Sequence, residues 1–138
     1  MAVGFKVKFY WYQVGSGEFL NSFFSTIAYN LEERKWGSRY PYIMNHFYNG
    51  IIEAGDIDAA INEVNEIETR LKEYSPEKVV WNIENLSMRP PWGDDISADI
   101  TDLSNYFITS EGENLIVLML KALETAKKLH LPIQIESI

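Results

Sequence analysis

The chain has 138 residues, of which 46% are hydrophobic and 23% charged, and its formal net charge is −8. This length suits one domain with its own core, and the hydrophobic content excludes a disordered chain. There is no cysteine, which excludes disulfides and thiolate zinc sites, and no apolar run approaches the ~18 residues of a membrane span. The N-terminus lacks the residue order of a signal peptide, so a cytoplasmic protein with no membrane partner is expected.

An N-terminal strand and two helices are predicted first. Apolar residues alternate with Lys and Tyr across positions 5–11, a pattern typical of one strand. Ser16 is expected to cap a helix whose apolar positions span 19–28. A short second helix is predicted to begin at Pro41 and to end near Gly50.

The elements in the rest of the chain are predicted from hydrophobic periodicity and helix-capping residues in the same way. The expected elements are a helix over 57–74 with Asp56 as its cap, strands over Lys78–Ile83 and Asn105–Thr109, a capping box at Ser110–Glu113, a helix to about Leu129 and a strand over 133–138. The order β-α-α-α-β-β-α-β indicates an α+β fold, a single domain over residues 1–138 with about four strands packed against helices. Six side chains are predicted to share its core: Phe9, Trp11, Phe23, Val79, Trp81 and Leu118.

Two site-like features have plain explanations. The stretch "GSGEF" has Leu20 where a dinucleotide-binding motif needs its third glycine, and no lysine-serine pair follows. His46 and His130 have no second ligand at metal-binding spacing, so structural roles are predicted for both. We therefore assign no catalytic residue, no metal ligand and no cofactor.

The negative charge lies in two stretches of the chain, of which residues 53–73 carry two basic and seven acidic side chains. Residues 84–113, here called the acidic segment, carry one basic and seven acidic side chains, whereas residues 1–52 are net positive. Nucleic-acid binding needs clustered Lys and Arg, so no nucleic-acid partner is expected. A basic protein partner is compatible with this distribution.

Four aspartates of the acidic segment are the best candidates for a site. If residues 94–104 are helical, Asp95, Asp99 and Asp102 form a stripe on one face, with Asp94 preceding them. The stripe is open to three interpretations: a magnesium site, a solvated face, or a docking surface. The metal interpretation lacks basic partners for a phosphate, because Arg89 is the one cation nearby.

Trp92 lies directly before these aspartates, between two prolines and a glycine. Its ring either folds down to cap the core or stays outside as an anchor for a partner, and both interpretations are open. Trp36 occupies a similar place in a small basic loop with Arg34, Lys35 and Arg39, for which pairing with the acidic stretches of the chain is a hypothesis.

Four stretches, "FYWYQVGSGEF", "WGSRYP", "PPWGDDIS" and "DITDLSNYFITSEG", resemble the bacterial immunity protein 70 family. Its members are small cytosolic proteins encoded beside polymorphic toxins, and they protect the producer in bacterial competition by binding the toxin. The resemblance implies an α+β fold and no enzymatic activity. It brings no set of toxin-contacting residues to this chain.

The residues and the resemblance together predict a toxin inhibitor. We expect its partner to be a cognate toxin domain, such as a basic nuclease, whose active-site surface is covered by Trp92, Asp94, Asp95, Asp99 and Asp102. The alternative is a small metal-dependent hydrolase that uses the carboxylates of 94–102. The oligomeric state is open and includes a homodimer.

Overall fold

The computed structural model describes residues 2–138. Its regular elements are strands β1 (Ala2–Val7), β2 (Tyr10–Ser16), β3 (Ile51–Ile52) and β4 (Ile133–Ser137), helices α1 (Gly17–Leu31), α2 (Ile57–Leu71) and α3 (Leu115–Leu129), a π-helix at Tyr42–Phe47 and 3₁₀ turns at Ala54–Asp56 and Pro76–Lys78. The four strands form one antiparallel sheet in the order β2-β1-β4-β3. The predicted α+β class and four-stranded sheet are confirmed, although two of the strands are not those predicted.

The N-terminal strand predicted over 5–11 is in fact a hairpin. Lys8 and Phe9 form its turn, with Lys8 in the left-handed region at φ 54°, and β1 and β2 pair on either side. Phe9 is consequently 88% exposed at the tip, so its predicted place in the core is wrong.

Trp11 is the second correction to the predicted core. It pairs with Lys6, on the sheet face opposite to that of Phe5, and its ring lies against Gly4. A Cβ at Gly4 would come within 2.6 Å of that ring, so the glycine makes room for the half-buried indole. The ring nitrogen donates a hydrogen bond to Gln13 at 2.8 Å.

The core lies between the other sheet face and the helices. Phe5 and Val7 of β1 are fully buried there, and Tyr12 of β2 is joined by its hydroxyl to Thr125 of α3 at 2.6 Å. Ser16 caps α1 as predicted, because its side chain accepts a hydrogen bond from the Phe19 N–H at 3.1 Å. The predicted core residues Phe23, Trp81 and Leu118 are buried, and Val79 is half-buried against them.

Residues 78–83 are not the strand that their apolar pattern predicts. After the 3₁₀ turn they run irregularly along α1, where Val80 gives its N–H to Thr26 Oγ1 and its carbonyl accepts from Ser22 Oγ. The Ile83 N–H is bound by Ser25 Oγ. The hydroxyl side chains of α1 therefore make the hydrogen bonds to this backbone that a neighbouring strand would make in a sheet.

The stretch before α3 also differs from prediction. Residues 105–109 begin in a turn, continue irregularly and contribute a single bridge, between Ile108 and Asn114, instead of a strand. The predicted capping box at 110–113 is a turn, and Asn114 is the N-cap, accepting from the N–H groups of Ile116 and Val117.

Within residues 2–138, no helix has the length and apolar character needed to cross a membrane.

Candidate functional site

Trp92 is neither fully core nor fully exposed. Its ring packs edge-on against buried Trp81, with centroids 5.4 Å apart, and 37% of the residue stays accessible. The indole N–H donates to the Tyr106 hydroxyl at 2.8 Å. Burial raises the pKa of Tyr106, although the bond from Trp92 acts in the opposite direction, so the hydroxyl is neutral at physiological pH. Trp92 therefore covers part of the core and also keeps an accessible edge, so the interpretations as a core cap and as an anchor for a partner are compatible.

A series of aromatic contacts connects this ring to the core. Tyr106 packs on Phe107 at 5.1 Å, and Phe107 packs on Phe23 of α1 at 5.3 Å, both edge-on. Such pairs add about 0.5–1.5 kcal/mol each beyond the area that they bury. The loop that carries Trp92 is thus held against the core at one defined place.

Two shallow grooves flank Trp92. One, of about 310 Å³, is mainly apolar and has Trp92, Ile100 and Ile108 among its walls, with Asp95 at its rim. The other, of about 330 Å³, lies under Arg89 and Asp94. The accessible edge of the indole therefore stands in a partly apolar surface bordered by carboxylates.

Three of the four candidate aspartates are exposed on turns, because residues 94–104 do not form a helix and the predicted stripe is absent. Asp94 is 3.8 Å from Arg89, and both side chains are largely in solvent, so this ion pair contributes little to stability. The side chains of Asp95 and Asp99 make no ion pair among residues 2–138. Their charges are available to a partner.

Asp102 has a different role. It is half-buried, and its carboxylate accepts from the Ser104 N–H at 2.8 Å, from the Ser104 hydroxyl, and from the Thr101 hydroxyl at 3.0 Å. Burial by itself raises the pKa of this carboxyl, but the hydrogen bonds from Ser104 and Thr101 outweigh it and lower the pKa. Asp102 fixes the turn that leads to Leu103 and Tyr106.

We expect Asp102→Ala to lower the free energy of unfolding by about 1 kcal/mol at pH 7, as for the loss of a capping side chain. A depressed carboxyl pKa stabilises the fold above the unfolded value of about 3.9 and loses this effect as the pH falls through the folded value. The difference between variant and wild type should therefore shrink below about pH 4. Urea unfolding at a series of pH values measures it, and a difference independent of pH would contradict this role.

A family model described as Immunity protein 70 matches residues 5–135, which is nearly the whole chain. The chain belongs to the Immunity protein 70 family. The resemblance seen in the sequence is thereby confirmed, while no curated protein and no solved structure matches the chain.

The carboxylates of the hydrolase alternative are not gathered in this immunity protein. Across residues 2–138, no group of three or more His, Asp and Glu side chains is placed to hold a metal ion. Of the two histidines, His46 packs against Tyr42 with ring centroids 5.0 Å apart, and His130 ends α3 in the left-handed conformation at φ 56°.

Three glutamates that sequence patterns did not single out organise the loop between α1 and the π-helix. Glu32 is buried, and its carboxylate accepts from the N–H groups of Gly37, Arg39 and Tyr40, each at 2.9 Å. Glu63 and Glu66 act from α2. Their contacts are the N–H groups of Tyr42 and Ile43 for Glu63, and the Tyr40 hydroxyl at 2.6 Å for Glu66.

Burial raises the pKa of Glu63, although its hydrogen bonds from Ile43 and Tyr42 act in the opposite direction. The basic loop that was predicted to pair with the acidic stretches makes no ion pair with them within the described residues, where the Arg34 guanidinium instead lies over the Tyr29 ring. Trp36 donates to the Met44 carbonyl at 2.6 Å and is structural. The carboxylates of the immunity protein therefore fall into two sets. Glu32, Glu63 and Glu66 hold the fold, whereas Asp94, Asp95 and Asp99 face solvent.

Proposed function

We propose that this protein neutralises a cognate polymorphic toxin by binding it in the bacterial cytosol, and that the acidic segment covers a basic surface at the toxin's active site. Membership of the Immunity protein 70 family is the observation that carries the proposal. The exposed carboxylates of Asp94, Asp95 and Asp99 beside the accessible edge of Trp92 support this choice of surface.

Charge and shape have separate roles in this proposal. Exposed carboxylates attract a basic partner over roughly 8–10 Å at physiological salt, so they act mainly on the association rate. Trp92 offers a preorganised aromatic edge, because Trp81 and Tyr106 already fix its ring. An anchor of this kind acts mainly on the dissociation rate. Inhibition by occlusion needs no catalytic group on the immunity protein.

We expect the triple change Asp94→Asn, Asp95→Asn and Asp99→Asn to slow association with the toxin by roughly tenfold at low salt, and by much less at high salt. The probe is the cognate toxin domain, which the proposal places at the C-terminus of a large protein encoded by a neighbouring gene. Asp102 is left unchanged, because its carboxylate holds a turn and its loss would confuse binding with stability. Surface plasmon resonance across a salt series gives both rate constants.

A matched control removes the same number of charges from outside the acidic segment, by the changes Glu33→Gln, Glu53→Gln and Glu124→Gln at exposed positions. It should leave the salt dependence of association nearly intact. Trp92→Ala, tested alongside, should instead raise the dissociation rate. Equal rates for the triple variant, its control and wild type would show that the toxin binds to another surface.

A further inference from the structure

The two edges of the sheet differ in how they are protected against pairing with another chain. β3 is only two residues long, and short edge strands pair poorly. β2 has seven residues, YWYQVGS, and none of them is charged. Natural edge strands usually carry lysines or prolines that discourage further pairing, so the composition of β2 is unusual for an edge.

Part of the β2 edge is already occupied. The Ser110 N–H binds the Val14 carbonyl at 3.0 Å, and the pairing of β2 with β1 is irregular opposite Val3 and Gly4. Among residues 2–138, this is the one backbone hydrogen bond that β2 makes outside its ladder with β1. Residues 10–13 are therefore a free, uncharged stretch of edge between the hairpin tip and Ser110.

We infer that this stretch pairs antiparallel with the same stretch of a second copy of the chain, forming a two-fold dimer with a continuous eight-stranded sheet. A two-fold axis at Trp11 places the two Trp11 residues opposite each other and Tyr10 opposite the second copy's Tyr12, so that no like charges face each other. A molecule of net charge −8 otherwise repels its copies, and an uncharged edge is where that repulsion is least.

The ends of the strand favour a second copy over other occupants. Exposed Lys8 precedes β2, and exposed Glu18 follows it in the first turn of α1. Antiparallel pairing brings the basic end of each copy towards the acidic end of the other. It also directs the exposed ring of Phe9 towards the second copy's Ser110 and the neighbouring Ile108, which is itself exposed.

Analytical ultracentrifugation over a concentration series tests the dimer with the protein alone. Wild type should approach twice the monomer mass of 16.0 kDa as concentration rises. Tyr10→Lys places one lysine of each copy on the same sheet face beside the two-fold axis and should weaken the dimer by roughly fivefold, the size expected for one like-charge pair. The control Val117→Lys adds the same charge at an exposed position of α3 and should leave the dimer unchanged.

Charge reversal tests the predicted orientation. Lys8→Glu should weaken the dimer, and adding Glu18→Lys should restore it, which loss of folding could not do. Hydrogen exchange of wild type gives a reading free of mutations, because amides within 10–13 should slow as concentration rises. A monomer at every soluble concentration overturns the proposal, as does a dimer weakened by Val117→Lys and not by Tyr10→Lys. Slowing of these amides only when the toxin domain is added would assign the edge to that partner instead.

Discussion

Replacing Trp81 with alanine is expected to lower the free energy of unfolding by about 3–5 kcal/mol, in the range for large aromatic residues removed from a core. Trp81 is only 6% exposed and supports the ring of Trp92 from below. The change therefore leaves a cavity and removes the support of the acidic segment. Urea unfolding followed by circular dichroism measures the loss.

Phe9→Ala is the matched control, because this aromatic ring was also predicted to be buried and is exposed at the hairpin tip. Its effect should stay within about 0.5 kcal/mol, as at other surface positions. If both variants unfolded like wild type, residues 78–83 could not pack against α1 as described.

Glu32→Ala is expected to cost about 3 kcal/mol, since three backbone N–H groups lose one shared acceptor inside the protein. Glu32→Gln should cost less, because its amide oxygen can still accept from the N–H groups of Arg39 and Tyr40. Exposed Glu33 is the neighbouring control, and Glu33→Gln should be nearly neutral. Thermal unfolding ranks the three variants, and an equal melting temperature for Glu32→Ala and Glu33→Gln would contradict the role of Glu32.

Local patterns predicted the parts of the fold that depend on local interactions. The cap of α1 at Ser16, the end of α3 near Leu129 and the final strand were all identified, because caps and periodicity are visible within a few residues. The turn at Lys8 and Phe9 was missed, since it contains no glycine, proline or asparagine and the alternation continues across it.

Tertiary partners decided the remaining elements. Residues 78–83 have the composition of a buried strand. They can follow an irregular path because hydroxyl groups of α1 form hydrogen bonds with their backbone. Nothing in a single sequence shows which helix will lie beside an apolar run. The same limit explains Glu32, which occupies a helix end where a glutamate is usually solvated.

The sequence identified the residues of the candidate site but not their arrangement in space. Trp92 and its neighbouring aspartates were identified from the sequence, whereas the helix that would align them does not form. Asp102 could not be separated from Asp94, Asp95 and Asp99 without the turn that its carboxylate binds. The surface around Trp92 is therefore partly apolar with a carboxylate border, and it is not the acidic helical stripe that was predicted.

Growth protection in cells is the most direct test of the proposed function. The cognate toxin domain, which the proposal places in a neighbouring gene, is expressed from an inducible promoter in a host that lacks the immunity gene, with and without this protein. We expect the domain alone to arrest growth, and co-expression of the wild-type protein to restore it through a stable complex that co-purifies. Arrest that persists despite folded wild-type protein, with no complex recovered, would contradict the proposal that this chain neutralises the neighbouring toxin.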